Sequence, residues 1–120
     1  MWILTTYGFF SVVEKPWDRD TRTLTVRARV RSDLSALRRR HLPELGPVKR
    51  DDRADYRFRA QVPRRAFARA LSRIAQDIDY ANFKSAVKER QGRARAVLYE
   101  RLWETLLALQ DEDWSDARRG

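Results

Sequence analysis

Two stretches of this chain alternate apolar side chains with arginine, whose planar guanidinium can grip a phosphate or carboxylate with two parallel hydrogen bonds. Leu24, Val26, Ala28 and Val30 point one way from an extended segment, while Thr25, Arg27, Arg29 and Arg31 point the other. Tyr56, Phe58, Ala60 and Val62 repeat the pattern against Arg57, Arg59 and Gln61. A period of two marks a half-buried strand. If both strands share a sheet, Arg27, Arg29, Arg31, Arg57 and Arg59 line its outer face. Their spacing of ~7 Å along each strand then approaches that of nucleic-acid phosphates.

Two readings of that face compete. In one it contacts phosphates of DNA or RNA, or an acidic protein, with weak sequence specificity. Readers of single strands add aromatics on which bases stack. Here Tyr56 and Phe58 alternate with the arginines and are expected in the core. In the other reading the face is an ordinary solvated surface, its arginines paired with Asp18, Asp20, Asp51 and Asp55.

Other candidates for chemistry are weaker. The segment Asp77-Ile78-Asp79-Tyr80-Ala81-Asn82-Phe83-Lys84 joins two helical patterns and carries two carboxylates two residues apart. A divalent cation needs more oxygens than two, so Asp79 reads as a helix cap rather than a ligand. His41, the only histidine, closes the basic run Arg38-Arg39-Arg40 and reads as a helix-end residue. There is no glycine-rich phosphate loop, nucleophile elbow or zinc spacing, and no catalytic residue, metal or cofactor is implied. The reading leans away from an enzyme.

The net charge of +9 comes from 26 basic against 17 acidic residues. Arginine outnumbers lysine 22 to 4, a ratio that GC-rich coding also produces, but the positive field itself favours anionic partners. Absence of cysteine rules out disulfides and thiolate metal sites. The start Met1-Trp2-Ile3-Leu4-Thr5-Thr6 lacks the basic region of a signal peptide. No run reaches the ~20 apolar residues of a membrane helix. A cytoplasmic location without a membrane partner is the expectation.

The elements that must position these residues follow from pattern. Trp2 to Glu14 reads as one long strand bent at Gly8, Arg22 to Arg31 as a second, and Tyr56 to Val62 as a third, with a short edge strand at Val48–Arg50. Ser32 or Asp33 caps a short helix around Leu34 and Leu37. Pro63 opens a helix carrying Phe67, Ala70, Leu71, Ile74, Ala75 and Ile78. A last helical stripe runs from Tyr80 to Leu109 with a break at Gly92, and the polar tail around Trp114 frays. The fold class is therefore α+β: a two-layer sandwich with a mainly antiparallel sheet of three to four strands, helices on one face, and a long C-terminal helix. A ferredoxin-like arrangement is one option. Residues 1–110 are expected as a single domain and 111–120 as the tail.

Leu102, Trp103, Leu106 and Leu107 spread around more than half of the last helix, because each residue turns ~100°. Such a helix either lies deep in the core or contacts a second chain, and a homodimer would cover it with one self-complementary patch. The alternative function is accordingly a structural or regulatory interaction module that self-associates through this helix. The segments Thr5-Thr6-Tyr7-Gly8-Phe9-Phe10-Ser11-Val12-Val13 and Asp77–Lys84 resemble a group of small uncharacterised bacterial proteins. That resemblance implies a bacterial source and carries no activity or site residue.

Overall fold

The structure, a computed structural model, describes residues 1–111. Trp114 and the expected tail beyond Asp111 lie outside them. The chain forms two units, Met1–Asp79 and the segment from Tyr80 onward.

The first unit is a five-stranded antiparallel sheet of order β1-β2-β3-β5-β4 with two helices. Its strands are β1 (Trp2–Thr5), β2 (Gly8–Val13), β3 (Thr23–Ala28), β4 (Lys49–Arg50) and β5 (Phe58–Pro63). The α+β class holds, and the details differ. What reads as one strand from Trp2 to Glu14 is a hairpin, which adds the fifth strand. Thr5 pairs with Gly8 across a two-residue turn, and the Thr5 hydroxyl both donates to the Gly8 carbonyl and accepts its N–H, each at 3.0 Å. A Cβ on residue 8 would lie 2.7 Å from the Phe10 ring, so glycine is required by close approach. Three strands precede the first helix and lie side by side in chain order, so the order departs from the ferredoxin-like option, which is built on βαβ crossovers.

Helices α1 (Arg31–Arg40) and α2 (Arg64–Gln76) close the core. Phe10, Val12, Val26, Ala60 and Val62 from the sheet pack in one cluster with Leu34 and Leu37 of α1 and Ala66, Phe67 and Ala70 of α2. Helix α1 starts earlier than its polar residues suggest. Asp33 is buried and reaches across to accept the Phe9 N–H at 3.0 Å, while Val30 occupies the cap position without a side-chain bond. Arg38 serves structure as well: its guanidinium donates to the carbonyls of Leu45 and Gly46, holding the loop before β4.

The second unit contains α3 (Phe83–Gln91) and α4 (Arg93–Leu106), followed by a 3₁₀ turn at Leu107–Gln110. Gly92 separates the helices with φ of 95°, a conformation that only glycine adopts freely. The expected cap Asp79 is replaced by Asn82, whose Oδ1 accepts the Ser85 N–H at 2.9 Å. Asn82 immediately precedes the helix, so its side chain reaches the third helical N–H. Phe83 stacks on Tyr99 at 5.9 Å, and the Lys84 ammonium lies 4.4 Å from the Trp103 ring centre.

Candidate functional site

With α1 and α2 on one face of the sheet, the side chains alternating with the core residues occupy the other. Registers chain these residues into rows, since directly paired residues share a face. Trp2 pairs with Ser11, Ser11 with Arg27, Arg27 with Arg59, and Arg59 with Lys49. One row thus crosses all five strands, from an indole at one edge through two arginines to a lysine at the other. The adjoining row is Val13, Thr25 and Gln61.

Arg27 and Arg59 sit opposite each other, an arrangement that is unfavourable for like charges without a counter-ion. The Arg27 guanidinium donates to the Ser11 hydroxyl at 2.7 Å, and that of Arg59 to the Tyr56 carbonyl at 3.3 Å. Both Nε atoms are buried without a hydrogen-bond partner. Among the described residues neither arginine has a carboxylate within ion-pairing distance. Two of the acids expected to neutralise the face, Asp51 and Asp55, accept the backbone N–H groups of Arg53 and Tyr56 instead.

Of the other expected arginines, Arg29 stays beside Arg27 and the remaining two lie apart. Arg29 follows β3 and lies with Arg27 over the Tyr56 ring, each guanidinium 4.6 Å from its centre. Arg31 opens α1 and lies over Phe58, which pairs with core-facing Ala28. Arg57 is exposed just before β5.

Tyr56 corrects a sequence expectation. Strand β5 begins at Phe58, so the alternation does not extend back to Tyr56, which is buried beneath Arg27 and Arg29 on the outer side. It continues a chain of rings: Trp2 meets Phe9 edge to face at 5.4 Å, and Phe9 meets Tyr56 at 6.3 Å. The arginine face therefore carries aromatics after all, and the indole of Trp2 is 61% exposed.

A second aromatic stands beside the arginines. The 3₁₀ turn Pro16–Asp18 delivers Trp17, whose indole N–H donates to the Thr25 hydroxyl at 3.2 Å. Asp18 anchors this turn. Its fully buried carboxylate accepts from the hydroxyls of Thr23 and Thr25, the Gln61 amide and the Lys15 N–H at 2.6 to 3.0 Å. Burial alone would raise its pKa, but these four bonds outweigh it and hold the carboxyl below the usual range. Trp17, Thr21, Thr25, Pro47, Lys49, Arg59, Ala60 and Gln61 line a cleft of about 570 Å³.

His41 has more partners than a helix-end residue needs. Its Nδ1 lies 2.7 Å from the Tyr7 hydroxyl and its Nε2 2.7 Å from the Asp77 carboxylate. Both contacts are satisfied when Tyr7 donates to Nδ1 and Nε2–H donates to Asp77. A phenol, a base and an orienting carboxylate resemble a nucleophilic triad. Tyr7 is not activated, however. Burial pushes its pKa up to about 12, against the lowering effect of Arg40, whose guanidinium lies over the ring. The phenol stays protonated, and the group acts as a clasp joining the β1–β2 turn to the ends of α1 and α2. Tyr7→Phe is expected to lower stability by about 1 kcal/mol, read by urea denaturation, without changing the circular dichroism of the native state.

Leu102, Trp103 and Leu106 lie on α4, and Leu107 follows it in the 3₁₀ turn. Leu98, Trp103, Leu106, Leu107 and Leu109 are 42 to 61% exposed, whereas Tyr99 is buried. No described helix is long and apolar enough to cross a membrane. No protein-family model, curated protein or solved structure matches this chain.

Proposed function

We propose that this protein is a small nucleic-acid-binding module that contacts phosphates through the outer face of its sheet, with weak sequence specificity. The observation that carries the reading is the Arg27–Arg59 cross-strand pair: two arginines on one sheet face, each with a buried unpartnered Nε and without an ion-paired acid among the described residues. An anion bound between the two side chains relieves their repulsion and accepts from their remaining N–H groups. Lys49 extends the row of cations. The contacts are to backbone phosphates, which position a nucleic acid without reading its sequence. In a binding assay with duplex DNA, single-stranded DNA and RNA, affinity is expected to fall steeply with salt and vary little with sequence. Absence of binding at low salt removes the proposal.

The exposed side chains of α4 and its following turn support a second reading, self-association through Leu102, Trp103, Leu106 and Leu107. A second copy covers such a patch with the same patch. Because Trp103 is 51% exposed, Trp103→Glu is expected to leave the helical circular dichroism intact while sedimentation shifts from dimer to monomer. A wild-type monomer at high concentration excludes this assembly.

A further inference from the structure

The cleft beside Trp17 has features that phosphate binding alone does not use. Its volume of about 570 Å³ falls within the range of small-ligand sites. One wall is the Trp17 indole, 52% exposed yet held in place through Thr25 and the buried Asp18. An aromatic plate that is both accessible and immobilised favours stacking, because little freedom is lost when a ligand lies on it. Lining the same space are Arg59 and Lys49, while Thr21 and Gln61 contribute polar groups. The Gln61 amide nitrogen is engaged with Asp18, which leaves its oxygen as an acceptor. Planar apolar surface, neutral polar groups and two cations in one cleft match a nucleobase attached to its phosphate.

We infer that this cleft receives one unpaired base, stacked on Trp17 with its phosphate on Arg59 and Lys49, so that the sheet binds single strands in preference to duplexes. The inference rests on the phosphate-binding reading and extends it. In a duplex the bases are stacked on one another and cannot enter such a cleft. Trp2 and Phe9, at the far end of the arginine row, offer a further ring surface to the same strand.

The experiment compares a single-stranded octamer, an abasic octamer of equal charge, and a duplex, each titrated against wild type and Trp17→Ala over a range of salt. Wild type is expected to bind the base-bearing octamer about tenfold more tightly than the abasic one, in keeping with base–aromatic stacking. Trp17→Ala is expected to lose most of that margin while keeping its salt slope. Equal affinity of wild type for base-bearing and abasic strands overturns the inference, as does an unchanged margin in Trp17→Ala. In both cases salt-dependent binding leaves the phosphate-binding reading standing, whereas loss of all binding at low salt overturns both. A measurement that needs no folded variant uses the four indole N–H resonances of wild type: a nucleoside monophosphate is expected to shift that of Trp17, and a titration leaving it unmoved also overturns the inference.

Discussion

Replacing Arg27 and Arg59 together by glutamine is expected to weaken single-strand binding by about 100-fold at low salt and to remove about 1.4 units from the slope of log affinity against log salt. The expectation follows from two charge-assisted hydrogen bonds, each worth about 1.5 kcal/mol or more, or roughly one decade apiece. The pair has no ion-paired acid among the described residues to share its charge, so its removal is read directly in the slope. Stability is expected to change little. The bonds of Arg27 to Ser11 and of Arg59 to the Tyr56 carbonyl are lost, with the contact of Arg27 on the Tyr56 ring, but a repulsive cross-strand pair goes with them. Arg31→Gln is the control: that side chain lies over Phe58 at the start of α1, and its loss is expected to leave the slope unchanged. Equal slopes for the double variant and wild type would take the sheet face out of the binding hypothesis.

Asp18→Ala is expected to destabilise the protein by roughly 3 kcal/mol, because two threonine hydroxyls, an amide and a backbone N–H lose their common acceptor inside the structure. The same carboxylate sets an acid limit. Its pKa is lower folded than unfolded, so the native state binds fewer protons and stability rises with pH across this window. The contribution is fully present above the unfolded value near ~4 and is lost as pH falls through the folded value. Urea midpoints measured from pH 6 down to 2 are expected to fall for wild type and to flatten in Asp18→Ala. If both fall alike, other carboxyl groups govern acid unfolding. The variant also frees Trp17, so its preference for base-bearing over abasic strands is expected to shrink.

Local pattern carried the strands and helices well, and long-range contacts carried the site. The alternation of Leu24, Val26 and Ala28 with Arg27 is a property of neighbouring residues, and it led to the correct face for Arg27 and Arg59. Extending it to Tyr56 failed because a periodicity does not reveal where a strand begins. The outer-face placement of Phe9 and Trp2 depends on the hairpin turn at Thr6-Tyr7, which the run of β-formers conceals. Trp17 is placed by a buried aspartate that bonds to Gln61, 43 residues away. His41 finds Asp77 at a separation of 36 residues. No local signal encodes either meeting, since both arise only once the sheet and helices have packed.

The two-residue strand β4 has a consequence for how the sheet ends. An unprotected edge offers a row of free N–H and C=O groups to any extended chain, and such edges invite fibrous association. Here the last strand consists only of Lys49 and Arg50, both exposed and both cationic, with Pro47 just before them. A second copy approaching strand to strand meets like charge over a template too short to grip. Lys49, which extends the row of cations, thus also forms half of a short, charged sheet edge.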